Sequence, residues 1–558
     1  MANLSKTKTL FAFTSPRTIE KIIPEIRILA KNYEGKKWSG NSDLQISFFK
    51  DLFYSEFYQG NKMPSNVSLA SRDRITRAPK SLGFIDLKPV IRLTDAGKLL
   101  LTEKRINETI TRQLLKFQLP SPYHPINDKT FFVKPYLELL RLIREVGSLS
   151  KSEIALFFLQ LTHYKHFSQI VSKIEIFRKN SKSFKGSRKT YVAVCFEKEI
   201  QHIYADEIKA KNFKTRESEA ISMKKFFATK RSNMIDYADA FIRYLRATLL
   251  ITFDKRTFHA IISPAKNKDV DFILNNVMRK PKIFNSEDDF KQYLFNPNSV
   301  MLLTDDRNHL FKRLNDLKIS YYSNATIESL KDLLEDGESQ IISSKIEETT
   351  VTLKNYKKYN DIVDIFRRIS NREVPDPPLY LEWNVWRALV MMNYAKEIKG
   401  NFRIDLDGVP LSTAGGNIPD IEVLFNGFKV IVEVTMSSGS KQYEMEGEPV
   451  ARHFGSIQKL SSKPVYCLFI APTINENSLA HFFNLNRFYT KAYGGKTKII
   501  PLSIKQFIIF ITVAKKKGFN NPNVLKQFFD KIVKENQTIE DEEAWINSIN
   551  EKIPFWVG

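Results

Sequence analysis

Residues 417–435 read NIPDIEVLFNGFKVIVEVT, and this stretch decides the fold of the C-terminal part of the chain. Two apolar runs, 421–425 and 428–435, flank Asn426–Gly427, a pair suited to a tight hairpin turn. Alternation along the return strand sets Glu433 and Thr435 on one face and Val432 and Val434 on the other. A hairpin of this length can bring Asp420, which opens the first strand, into one pocket with Glu433. A glutamate within an apolar strand needs an explanation, because an unpaired buried charge is costly. Two carboxylates on rigid strands favour a hard divalent cation, magnesium, with manganese able to substitute. The alternative is a surface ladder in which Glu433 pairs with a lysine.

Working outward, Glu446 lies in YEMEGEPVARHF, residues 443–454. The polar stretch Ser437–Gln442 can fold back and set the following helix, expected over 445–460, beside the strand end. Only one of Glu444, Glu446 and Glu448 need point inward, and all three could be a solvated run. Glu382, in LYLEWNVWRALV (379–390), sits on a helix among Leu381, Trp383 and Trp386, where a solvated charge is the plainer reading. Arg452 and His453 could contact a phosphate or orient a carboxylate, and His453 could equally be a packing residue. The other histidines lack metal-ligand spacing, which argues against zinc. Further strands at 464–470 and 497–501 and helices at 380–396 and 503–515 complete a central sheet flanked by helices. The prolines of NREVPDPPL (371–379) mark where this α/β domain, 371–558, begins.

The other end of the chain differs in charge. Of 558 residues, 86 are Lys or Arg and 62 Asp or Glu, a net charge of +24. Residues 1–300 hold 53 basic and 30 acidic side chains, and residues 301–558 hold 33 and 32. A cationic surface gathers polyanions by releasing their counterions, so the first half points to a nucleic acid. Two cysteines exclude a disulfide scaffold and suit the cytosol, and no apolar run reaches membrane-spanning length.

Helices are expected at about 16–36 and 41–58. Within SRDRITRAPKSLGFIDLKPVIRLTDAGKLLL (71–101), a basic helix at 72–81 precedes strands Phe84–Leu87 and Val90–Leu93 and a helix capped by Thr94. That order is winged-helix-like. Arg72, Arg74, Arg77 and Lys80, with Arg17, are the candidate DNA-binding residues for base-edge contacts; the alternative is that they touch only phosphate or merely solubilise the surface. A helix–turn–helix is expected over 134–160, an exposed basic loop at 177–190, a long helix at 223–250 and a strand pair at 251–262. The chain then reads as a multidomain α+β protein: a recognition domain with a winged-helix-like part (1–130), a second DNA-recognition domain (131–290), a helical linker (291–370) and the catalytic candidate (371–558).

LEWNVW (381–386), AGGNIPDIE (414–422), VEVTMSSGSKQYEMEGEPVARHF (432–454), YCLFIAPTIN (466–475) and IIPLSIKQF (499–507) resemble the AlwI-type family of Type IIS restriction endonucleases. The family includes site-specific nicking endonucleases and large subunits of heterodimeric restriction enzymes. SPRTIEKIIPE (15–25), SRDR (71–74) and DYADAFIRYLR (236–246) extend the resemblance into the first half. It implies a restriction-endonuclease-like PD-(D/E)xK domain, with Pro419–Asp420 and Glu433 in the motif and Thr435 where its lysine usually stands. It also implies that Glu446 and Glu382 match further active-site carboxylates; Lys441 is nearby but unassigned.

The implied activity is magnesium-dependent hydrolysis of double-stranded DNA at a fixed offset from an asymmetric site, leaving 5′-phosphate and 3′-hydroxyl ends. One site cuts one strand, so a double-strand break needs a transient homodimer or a small second subunit; a chain that cannot pair would nick. Association with a DNA methyltransferase and a prokaryotic cytoplasm are implied as well. A non-enzymatic winged-helix regulator, or a structure-selective repair nuclease, is the rival expectation.

Overall fold

The computed structural model describes residues 7–16, 18–58, 62–215 and 221–557. The chain divides into two compact units, Met1–Glu338 and Ser339–Gly558. The division leaves 58 basic and 38 acidic residues in the first and 28 and 24 in the second.

Among its described residues the first unit is helical apart from two antiparallel ribbons, β1 (Ile85–Asp86) with β2 (Arg92–Leu93) and β3 (Ile251–Phe253) with β4 (Ala260–Ile262). The basic segment expected as one helix over 72–81 is two, Val67–Ile75 and Ala78–Ser81, with Pro79 at the start of the second. Thr94 caps Asp95–Leu101: its hydroxyl accepts from Gly97 N at 3.0 Å and donates to the Gly83 carbonyl at 2.6 Å. Helix Pro135–Val146 stops at Gly147 (φ 79°), and Ser150 and Glu153 form a capping box that starts Lys151–Leu156. The basic stretch 177–190, expected as a loop, instead continues helix Phe167–Ser183 and begins Arg188–Ile203. Lysine and arginine are good helix formers, and their charge there belongs to exposed helix faces.

The stretch expected as a linker divides between the units. Leu310, Leu314, Leu330 and Leu334 form a buried cluster in the first, and Ile362, Ile365, Phe366 and Ile369 are buried in the second. Ile327–Leu353 is one continuous helix.

The second unit is built on a five-stranded mixed sheet in the order β11-β10-β9-β8-β5: β5 (Glu397–Gly400), β8 (Ile421–Leu424), β9 (Lys429–Val434), β10 (Val465–Ala471) and β11 (Ile499–Ser503). A ribbon, β6 (Arg403–Ile404) with β7 (Pro410–Ser412), lies between β5 and β8 in sequence. β8 pairs antiparallel with β9 and β5, while β10 runs parallel to β9 and β11. Ile431, Cys467 and Phe469 on one face pack against Val450, Ala451 and Phe454 of helix Ser440–Leu460. On the other, Val423, Val430 and Leu468 line an apolar cavity with residues of helices Pro377–Met392, Ile504–Lys516 and Pro522–Asn536, Leu389, Phe510 and Phe529 among them. The result is a helix-rich chain whose C-terminal unit is a mixed sheet between helical layers, consistent with a restriction-endonuclease-like fold. Its two cysteines are free: Cys195 is half-buried on Arg188–Ile203 and Cys467 fully buried on β10. Among the described residues no helix is long and apolar enough to cross a membrane.

Candidate active site

The β8–β9 hairpin pairs Ile421 with Val432, and continuing that register by one residue sets Asp420 opposite Glu433. Asp420 Oδ2 accepts from Val434 N at 2.7 Å, so the β9 backbone orients it. Glu433 shares the face of Ile431, beneath helix Ser440–Leu460, and is only 7% exposed. One face of that helix carries Glu446 and His453, seven residues or about two turns apart. His453 Nδ1 and Glu433 Oε1 are hydrogen-bonded at 2.9 Å. Thr435 donates its hydroxyl to Glu446 Oε1 at 2.6 Å and accepts from Ser437 N at 3.0 Å. From Pro377–Met392 comes Glu382, 5% exposed, whose Oε2 accepts from Ala414 N at 3.0 Å.

These carboxylates act on one another. Burial pushes Glu382 up to about 9, reinforced by Asp420. Asp420 is held well above the usual carboxylate range by burial and then by Glu433 and Glu446, with the Val434 N–H opposing. Glu433 is raised in the same way, by burial, Glu446 and Glu382, and Arg452 counteracts weakly. Burial raises Glu446 against the Thr435 hydrogen bond, and burial followed by Arg452 keeps His453 low, hence neutral. All the oxygens are hard donors, and burial together with their mutual repulsion favours protonation over ionising all four at once. Among the described residues, no group of three or more His, Cys, Asp or Glu side chains is placed to hold a metal ion.

Several positioning groups carry no sequence signal. Gln442 is fully buried; it donates to the Ser437 and Thr473 carbonyls at 3.0 and 2.8 Å and accepts from Asn475 N at 2.8 Å, which fixes the turn into the helix. Asn401 donates its side-chain amide to the Pro419 carbonyl at 2.7 Å and its backbone N–H to the Asp420 carbonyl at 2.9 Å. Arg452 donates to Asn417 Oδ1. Lys441 is exposed in the first turn of the helix.

In the first unit the candidate DNA-binding cluster is largely engaged within the chain. Arg74 pairs with Glu25, which is almost fully buried, and lies over the Tyr58 ring at 5.2 Å. Arg77 pairs with Asp73 at 2.8 Å. Lys80 is buried, with its ammonium 4.2 Å from the centre of the Tyr123 ring. Arg72 is exposed. Arg17 lies outside the described residues.

The model of the AlwI restriction endonuclease family matches residues 80–510, which include all four carboxylates and His453. The chain belongs to the AlwI restriction endonuclease family. Membership makes it a nuclease-type enzyme. No curated protein matches it. Among solved structures, it is similar to the small subunit (R.BspD6I2) of the heterodimeric restriction endonuclease R.BspD6I, at 28% identity over 35% of this chain and 98% of that one, TM-score 0.31. It is also similar to the BpuJ1 endonuclease binding domain, in a structure with pyrene- and phenanthrene-modified DNA. There the identity is 15% over 52% of this chain and 96% of that one, with a TM-score of 0.34.

Proposed function

We propose that this AlwI-family protein is a Type IIS restriction endonuclease, a Type II site-specific deoxyribonuclease. It binds an asymmetric double-stranded DNA sequence and hydrolyses phosphodiester bonds at a fixed offset outside it, leaving 5′-phosphate and 3′-hydroxyl ends. The convergence of Asp420, Glu433, Glu446 and Glu382 around the end of one hairpin carries this reading. The first unit, with its basic excess, reads the DNA, and we take β1–β2 with its flanking helices as a winged-helix-like part of it.

Pro419–Asp420 and Glu433 serve as the PD and (D/E) elements of a PD-(D/E)xK site in which Thr435 replaces the lysine. An oxygen-only set of buried, mutually repelling carboxylates fits a magnesium ion, with manganese as a substitute. Asp420 and Glu433 would hold it, with Glu446 completing its outer shell. Bound there, the ion supplies positive charge to the phosphate and to the departing 3′-oxygen. The protein does the rest. The Val434 N–H aims Asp420, and His453 orients Glu433. Thr435, donating to Glu446 Oε1, orients that carboxylate, which would accept the proton of the attacking water. Glu382, steadied by the Ala414 N–H, completes the wall.

One such pocket cuts one strand. A transient homodimer or a small second subunit cuts the other, and without either the enzyme nicks. The protein works beside a DNA methyltransferase in a prokaryotic cytoplasm. The test is cleavage of a random-sequence plasmid library with and without magnesium. Cuts at one distance from one motif, abolished in Asp420→Ala and Glu433→Ala while gel-shift binding persists, are expected. Normal cleavage by either variant, or structure-dependent cuts without a motif, overturns the reading.

A further inference from the structure

Helices Phe167–Ser183 and Arg188–Ile203 form a hairpin whose tip is the four-residue break Phe184–Ser187. The tip is held firmly. Tyr191 is buried, donates its hydroxyl to the Phe177 carbonyl at 3.0 Å, and packs its ring 5.1 Å from Phe177 and 5.2 Å from Phe184. Ser187 caps the second helix by accepting from Thr190 N at 3.1 Å. Around this anchored turn stand Lys179, Lys182, Lys185, Arg188 and Lys189, all exposed. None of the five has a carboxylate partner among the described residues. They contrast with neighbouring Arg178, which is taken up by Glu153 at 2.6 Å and by two backbone carbonyls. The tip also holds the electropositive N-terminus of the sixteen-residue Arg188–Ile203 helix. Arg74, Arg77 and Lys80, the cations that the sequence pattern favours, are engaged inside the fold, so the free positive charge lies elsewhere.

We propose that the tip of this hairpin, residues 179–189, is a phosphate-backbone clamp for duplex DNA. It contributes affinity without base selection. The proposal rests on the reading of the chain as a DNA-binding nuclease. Four of the five are lysines, whose flexible ammonium groups on a fixed helical turn suit the regular spacing of phosphates along a strand and lack the planar, bidentate geometry that base edges demand. Each phosphate contact releases condensed counterion, so its loss is read directly in the salt dependence of binding.

The experiment uses the full chain and a random-sequence 40-base-pair duplex, with anisotropy titrations from about 0.1 to 1 M NaCl. Lys182→Gln/Lys185→Gln/Lys189→Gln should lower the slope of log affinity against log salt by about 2.7. That corresponds to binding roughly a hundredfold weaker near 0.15 M, converging on the parent near 1 M. A control triple at exposed lysines elsewhere in the unit, Lys31→Gln/Lys50→Gln/Lys312→Gln, should change the slope by much less. An unchanged slope in the tip variant overturns the clamp while leaving DNA binding intact. An equal fall in the control overturns it in favour of net charge alone. A parent protein that binds the duplex with no salt dependence overturns the DNA-binding reading itself, and the clamp with it.

Discussion

At the scale of single residues, the pocket is defined by protons it should not ordinarily hold. Glu382, ordinarily ionised near 4.5, keeps its proton up to about 9 because it is buried beside Asp420. Its folded pKa is raised, so the folded state binds more protons than the unfolded chain between those values. Its contribution to stability is therefore fully present below about 4.5 and is lost as pH climbs through about 9, by ~1.4 kcal/mol per pH unit for each proton involved. Melting temperature without divalent cation should fall from pH 6 to pH 9, and Glu382→Gln should flatten the fall; a parallel curve for that variant removes Glu382 as the cause. The Thr435–Glu446 contact yields a second prediction. Glu446→Gln keeps the volume and loses the charge proposed to handle the water, so single-turnover cleavage should drop about a hundredfold or more. Thr435→Val should be milder, because its hydroxyl only orients Glu446. If Thr435→Val is inactive and Glu446→Gln cuts at the parent rate, the threonine or a water it holds takes the role given to Glu446.

At the scale of elements, helix Ser440–Leu460 aligns the pocket, and its position depends on Gly455. A Cβ there would stand 2.6 Å from the Tyr493 Cα, so the close approach admits no side chain. Gly455→Ala should cost about 1–3 kcal/mol by overpacking. It should also slow cleavage, because His453 precedes it by two residues and must keep its contact with Glu433; thermal melts beside single-turnover rates check both. The hairpin was legible because an Asn–Gly turn between alternating runs is a local signal, and its register alone puts Asp420 across from Glu433. Glu382 reaches the same place from 38 residues before Asp420, through a helix-to-sheet packing that no local pattern encodes. Strands β6 and β7, of two and three residues, are too short to show alternation, and β5 (EIKG) carries a single large apolar side chain, Ile398. The basic cluster at 72–80 misleads for a related reason: composition cannot tell a free guanidinium from one that meets a glutamate 49 residues away.

At the scale of the whole molecule, the boundary between the units sets what can be separated. A DNA-binding fragment should end at Glu338 and not at residue 300. The buried Arg112 and Lys331 both meet Asp305 at 2.7 Å, and Leu310, Leu314, Leu330 and Leu334 close a core beyond residue 300. Residues 1–338 should therefore fold, bind duplex DNA with steep salt dependence and leave it uncut. Residues 1–300 should melt lower or aggregate, because the buried Arg112 loses Asp305 and keeps only the looser Glu108 contact at 3.8 Å. Circular dichroism and anisotropy on both fragments check this, and equal stability would remove the 301–338 segment from the first unit's core. The two free cysteines fall one to each unit, and this makes the chain its own pair of clocks. Cys467 lies inside the five-stranded sheet, where only opening of that sheet admits an alkylating reagent, whereas Cys195 sits half-covered on a helix of the other unit. Pulse alkylation followed by mass spectrometry would time the opening of the sheet at Cys467 against the faster, folded-state labelling of Cys195 in one intact chain, with no engineered label.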